Sequence, residues 1–148
     1  MIADSPEDPV SELLKRCRAA GLRRTQLLET VLRILASATG PLSIHSLRAH
    51  PDVHGHCDTA TLYRLLSRLE DKGVARRVGL HERAAHFILH HADRHHDFVI
   101  CLTCGKVEAI PMACPIEELE TEVARRTGFS KLYHELQYYG HCPDCARA

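Results

Sequence analysis

Seven cysteines stand in this 148-residue chain, and four of them form two pairs, Cys101-Leu-Thr-Cys104 and Cys142-Pro-Asp-Cys145. Each Cys-x-x-Cys loop can turn two thiolates towards one ion, so together they offer the four soft ligands of a tetrahedral, structural Zn2+. Gly105 follows the first pair directly, which suits a tight turn. The 37 residues between Cys104 and Cys142 leave room for a strand, a helix and a strand. Disulfides or unrelated thiols are the alternative, and a reducing compartment disfavours disulfides. Cys17, Cys57 and Cys114 lack such spacing and read as packing or surface thiols.

A second set combines His95-His96-Asp97 with Glu117 and His134. His95, Asp97, Glu117 and His134 would make a mixed nitrogen and oxygen site suited to Zn2+, Fe2+ or Mn2+, and more open to exchange than four thiolates. The alternatives are a satisfied core imidazole at His134 and a carboxylate at Glu117 that serves only the helix dipole. Six of the twelve histidines fall between His81 and His96. Of these, His81, His86, His90 and His96 are candidates for a regulatory metal at a connector, against the alternative of a solvated His-rich linker. No His-Glu-x-x-His or deaminase pattern is present, and a closed four-cysteine site leaves no place for a catalytic water, so no enzyme and no small-molecule substrate are expected.

The elements that must position these residues follow from periodicity. A helix is expected over Val10–Ala20. A second is capped by Thr25, with Leu28, Val31, Leu32 and Leu35 on one face, and a third is capped by Ser43. A fourth runs over Thr59–Lys72, with Leu62, Leu65, Leu66 and Leu69 inward. Its other face carries Thr59, Thr61, Tyr63, Arg64, Ser67 and Arg68, which can hold phosphates and meet base edges, or can simply be solvated. Arg23, Arg24, Arg76 and Arg77 could add backbone contacts. Strands at Val74–Val78 and Ala85–Leu89 complete a winged helix-turn-helix.

Beyond a polar connector come strands at Phe98–Cys101 and Lys106–Ile110, a helix over Pro115–Thr127 and a strand over Lys131–Tyr139. On that strand Leu132, His134, Leu136 and Tyr138 should share a face. So small a module needs a partner to bury its sheet, which predicts a homodimer.

Net charge is zero, but its distribution is uneven. Val10–Leu89 holds 13 Lys/Arg against 7 Asp/Glu, and His90–Ala148 holds 6 against 9. A basic half followed by an acidic one fits a module that faces DNA phosphates and a module that does not. The acidic start lacks a basic and apolar leader, and no apolar run approaches a membrane span, so a cytoplasmic protein with no membrane partner is expected.

Gly21-Leu-Arg-Arg-Thr25, Ala60-Thr-Leu-Tyr-Arg64, His95-His-Asp97, Cys101-x-x-Cys-Gly-Lys-Val107, Gly128-Phe129, His134-x-Leu136 and Tyr139-Gly-His-Cys142 occur in the order seen in the ferric-uptake-regulator (Fur) family, which the chain resembles from about residue 10 to residue 145. The resemblance implies an α+β fold: a winged-helix DNA-binding domain (10–90), a hinge (91–97) and a small α/β dimerisation domain (98–148). It also implies a metal-loaded homodimer that binds palindromic double-stranded operator DNA and represses metal-uptake genes. Carried over by position, Cys101, Cys104, Cys142 and Cys145 match the family's structural zinc, and His95, Asp97, Glu117 and His134 match its dimerisation-domain site, Glu117 only with one inserted residue. Pro41, Ile88 and Phe98 stand where ferric regulators carry His, Glu and His, and an Arg common near Leu28 is absent. A hinge rebuilt from imidazoles leans towards a zinc-uptake regulator, with Fe2+ next and manganese or peroxide sensing as further alternatives.

Overall fold

The structure, a computed structural model, describes residues 9–79, 85–91 and 97–147. Its contacts divide into two units between His91 and Ala92.

In the first unit, α1 (Pro9–Ala19) buries Val10, Leu13 and Cys17. The Thr25 hydroxyl accepts from the Leu28 N–H at 3.1 Å and starts α2 (Gln26–Ser37), whose Leu28, Val31, Leu32 and Leu35 are buried together with Ile34. Ser43 caps α3 (Ile44–Ala49) in the same way. The Asp58 carboxylate accepts from the Thr61 N–H at 2.6 Å and starts α4 (Thr59–Asp71). Leu62, Leu66 and Leu69 recur at helical spacing on one face of α4 and are fully buried.

The wing strands β2 (Ala75–Val78) and β3 (His86–Leu89) pair antiparallel. A two-residue strand, β1 (Leu42–Ser43), covers the other edge of β3, giving the order β1-β3-β2. Sequence periodicity gave no sign of β1, because two residues are too short to show an alternation. Phe87 on the central strand is fully buried against the helical core. Arg16 of α1 donates to the carbonyls of Gly73 (3.3 Å) and His90 (3.1 Å), tying α1 to the end of α4 and the end of the wing.

In the second unit, β4 (Phe98–Cys101) is the central strand. It runs antiparallel to β5 (Val107–Ala109) and parallel to β6 (Gln137–Gly140). The parallel pair requires a crossover, and α5 (Glu117–Thr127) lies within it, ended by Gly128 at φ 76°. A last turn, α6 (Pro143–Ala146), carries Cys145.

Two expectations are corrected here. The strand read from Lys131 starts only at Gln137, since Lys131 turns at φ 55° and residues 132–136 belong to no strand. Leu132, His134 and Leu136 do alternate as half-buried positions, but the alternation breaks where β6 begins, and Tyr138 is exposed. Helix α5 also starts two residues late, because Ile116 rather than a side-chain cap precedes it.

The two units differ in how they hold together. The first has one continuous apolar core. Among the described residues of the second, only Phe98, Ile100 and Cys101 are buried apolar positions, and α5 buries nothing. Val99, Leu119, Val123, Phe129, Tyr133 and Tyr138 are exposed, and Val99 and Tyr138 face each other across the β4–β6 ladder.

Leu66→Ala should destabilise the first unit by about 2–5 kcal/mol through loss of a buried side chain and the cavity left behind, read from its unfolding midpoint. Asp58 is held below the usual carboxylate range, chiefly by hydrogen bonding to Thr61. A depressed carboxylate stabilises the fold above its unfolded pKa of about 3.9 and loses that contribution as pH falls through its folded value. Asp58→Asn, which keeps a cap, should therefore narrow the gap from wild type in melting temperature as the solution is taken from neutral to about pH 3.

Candidate metal centres

The β4–β6 register places Cys101 opposite Gly140, so the strand that ends in the first cysteine pair lies beside the strand that leads into the second. The Leu102 N–H donates to the Gly140 carbonyl at 2.7 Å and locks the two chain turns together. Gly105 takes φ 74°, a left-handed conformation that a side chain would strain, and its N–H closes the first knuckle on the Cys101 carbonyl at 2.9 Å. Cys142 precedes α6, with Pro143 at its first turn, and Cys145 follows on that turn. Thr103 Oγ1 and His141 Nδ1, 2.9 Å apart, join the two loops from outside.

The four sulfurs lie within 4.8 Å of one another. Cys104 and Cys142 are 3.8 Å apart. A regular tetrahedron with Zn–S bonds of about 2.3 Å has edges of about 3.8 Å, so the cluster has the dimensions of a four-thiolate zinc site. The Cys101 thiol is pulled down to about 5 by N–H groups of Cys104 and Cys142 directed at its sulfur, the latter at 3.3 Å. Cys145 is pushed up to about 12 by the sulfurs of Cys142 and Cys104 around it. Among the four, the N–H groups around Cys101 favour its thiolate, and the sulfurs around Cys145 disfavour its own.

The same ladder builds a second cluster at its other end. Phe98 pairs with Gln137, and the Phe98 N–H donates to the Leu136 carbonyl at 3.2 Å, so Asp97 comes alongside the extended segment that carries His134. The loop between β5 and α5 brings in Cys114. Asp97, Cys114 and His134 offer ligand atoms within 4.8 Å of one another. Cys114 Sγ stands 3.1 Å from His134 Nε2, and Glu120 Oε2 stands 2.7 Å from His134 Nδ1. With a carboxylate at Nδ1, that nitrogen carries the proton and Nε2 presents its lone pair to Cys114. Loss of solvent around the Cys114 thiol, with the carboxylates of Asp97 and Glu117 near it, raises its pKa.

Of the set read from the sequence, Asp97 and His134 come together among the described residues, while His95 lies outside them. Glu117 opens α5 beside Cys114 but is outside the ligand group, and Glu120, one turn further along the helix, meets His134 instead. Cys114, read as an isolated thiol, belongs to the cluster. Its partners lie 17 and 20 positions away, so only the strand pairing could have revealed it. His95, His81 and His96 lie outside the described residues. His86 sits on β3 and His90 just after it, both half-buried, and neither joins a group of this kind among the described residues.

On α4, Thr59, Tyr63, Arg64 and Arg68 are exposed, while Thr61 and Ser67 are half-buried. Arg23 and Arg24 are exposed near the start of α2, and Arg24 is paired with Glu29 at 2.8 Å. Arg77 is half-buried. It pairs with Glu70 at 3.0 Å and lies over the rings of Tyr63 and Phe87, with its centre 5.8 and 5.4 Å from theirs. It acts as a support for Tyr63 rather than as an outward cation.

A model of the ferric uptake regulator family matches residues 19–139. The chain is 36% identical over 101 residues to the ferric uptake regulation protein of Cupriavidus metallidurans, a match that covers 67% of this chain and 66% of that protein, just under two thirds of its length. It is 33% identical to the Yersinia pestis ferric uptake regulation protein over 86% of each chain. Among solved structures it is similar to the Helicobacter pylori ferric uptake regulator, described as revealing three functional metal binding sites, with a TM-score of 0.68 and 25% identity over 95% of this chain and 96% of that one. The fold and its sites define a winged-helix protein with a metal-binding α/β unit. The chain belongs to the ferric uptake regulator family, whose members are metal-responsive transcriptional regulators rather than enzymes. No helix among the described residues is long and apolar enough to cross a membrane.

Zinc uptake by metal-free protein at pH 7 should release fewer than four protons per ion, because Cys101 is already ionised. Below about pH 5 Cys101 must also give up a proton, so affinity should fall more steeply with acid there. Proton release in weak buffer, with zinc binding followed against pH, checks both.

Proposed function

We propose that this protein is a metal-responsive repressor that binds operator DNA as a homodimer. The observation that carries this reading is its division of labour: one unit presents the outer face of α4, and the other gathers two groups of metal ligands. A zinc ion at Cys101, Cys104, Cys142 and Cys145 holds the second unit together, since that unit has little apolar core of its own. Its exposed surface from Val99, Leu119, Val123 and Tyr138 is covered by a second copy. Thr59, Thr61, Tyr63, Arg64 and Arg68 of α4 enter the major groove, with Arg23 and Arg24 on the backbone. A regulatory metal then fixes the two winged helices at the spacing of two half-sites.

For the regulatory metal, the relatives favour ferrous iron, because those named are ferric uptake regulation proteins. A zinc-responsive reading is supported by one observation, the sulfur that Cys114 adds to Asp97 and His134. His81, His86, His90 and His96 remain candidates for a connector site, and their imidazoles would favour zinc as well. Mn2+ and peroxide sensing follow behind these two.

Chelator-treated protein, reloaded with Fe2+ under anaerobic conditions, Zn2+ or Mn2+, should retain operator DNA with one of these metals and release it without. Arg64→Ala should weaken retention on all sequences and lower the slope of log affinity against log salt by about 1. Absence of retention with every metal would overturn the repressor reading.

A further inference from the structure

We infer that Cys114 is a metal ligand, and that Asp97, Cys114 and His134 form a site with sulfur, nitrogen and oxygen donors selective for Zn2+ or Co2+ over Fe2+ and Mn2+. The inference rests on the regulator reading above and names the donor set and metal class of its second site.

Three features of the cluster carry it. The donors come from three separate segments, yet their ligand atoms converge within 4.8 Å. The imidazole is already set for coordination: Glu120 accepts the Nδ1 proton at 2.7 Å and leaves the Nε2 lone pair facing Cys114. This carboxylate–histidine arrangement fixes the orientation of the ring towards a metal. Charge balance is the third feature. Asp97 is buried to 8% exposure, and a dication held by one carboxylate, one thiolate and a neutral imidazole is an electroneutral group. Such a counter-charge suits the buried Asp97 carboxylate, beside the half-buried Cys114 and His134.

Cys114 Sγ and His134 Nε2 stand within hydrogen-bond reach, 3.1 Å apart. Two ligands of one tetrahedral zinc, with Zn–S about 2.3 Å and Zn–N about 2.05 Å, stand about 3.6 Å apart. Entry of the ion breaks the S–H···N hydrogen bond, sends the thiol proton to solvent and parts the two atoms by about half an ångström. The three donors found among the described residues leave one tetrahedral position for a further ligand. Thiolate sulfur is the donor that separates zinc and cobalt from the harder ferrous and manganous ions.

Co2+ is the probe, because a cobalt–thiolate bond gives an intense near-ultraviolet charge-transfer band. Protein carrying one zinc per chain, which blocks the four-cysteine site, is titrated anaerobically with Co2+ alone. Wild type should show the band together with tetrahedral ligand-field absorption, reversed by Zn2+ but not by equimolar Mn2+. Cys114→Ser, with its zinc content and circular dichroism verified, should lose the band and bind Co2+ at least tenfold more weakly. Cys57→Ser, which alters a half-buried thiol of the other unit, should keep both. Cobalt binding without the band, an unchanged band in Cys114→Ser, or no cobalt beyond the structural ion would each overturn the inference. Operator retention with the same samples separates the two readings. DNA binding that responds to metal without a cobalt–thiolate band leaves the regulator and removes the ligand, whereas the band without DNA binding under any metal does the reverse.

Discussion

The parallel pairing of β4 with β6 is the interaction on which the second unit depends. Four registered residue pairs bring the two ends of the 43-residue segment from Phe98 to Gly140 side by side. At the far end of the ladder Cys101 meets Gly140, and both cysteine pairs converge. At the near end Asp97 comes beside the segment carrying His134. One short ladder, about 13 Å long at 3.3 Å per residue, therefore has a metal-ligand group at each end. A parallel ladder this short, in a unit with so few buried apolar residues, has little to hold it besides those groups. Ligand chemistry and strand pairing support one another here.

The first unit works the other way. Its helices and wing close around a continuous apolar core, and its polar contacts refine a structure that burial already specifies. Arg77 shows the refinement. Its guanidinium is held by Glu70 and by the faces of Tyr63 and Phe87, and it steadies the ring that α4 turns outward. The basic excess of this half is thus not all available to phosphates, whereas Arg23, Arg64 and Arg68 are exposed.

Much of this was legible in the sequence wherever the signal was local. Thr25 and Ser43 mark helix starts because a side chain caps an N–H three residues on, and the leucines of α2 and α4 repeat at helical spacing. The four cysteines announce themselves by two identical spacings. What was hidden depends on distant pairing. Residues 132–136 alternate like a strand but lie outside β6, with the Leu136 carbonyl accepting from the Phe98 N–H just before it begins, so the alternation fixes side-chain direction ahead of the ladder. Cys114 has no local pattern, and Glu117 and Glu120 are equivalent candidates until the start of α5 is known. The short β1 and α6 carry too few residues for any periodicity.

The hydrogen bonds of Arg16 have a mechanical consequence. The chain leaves the first unit just after His90, and the His90 carbonyl is gripped by a guanidinium that also grips Gly73, two residues beyond the end of α4. Any pull transmitted along the connector therefore does not stop at the edge of the wing. One guanidinium nitrogen of α1 holds both carbonyls, so the exit of the chain and the footing of the outward-facing helix share a single anchor.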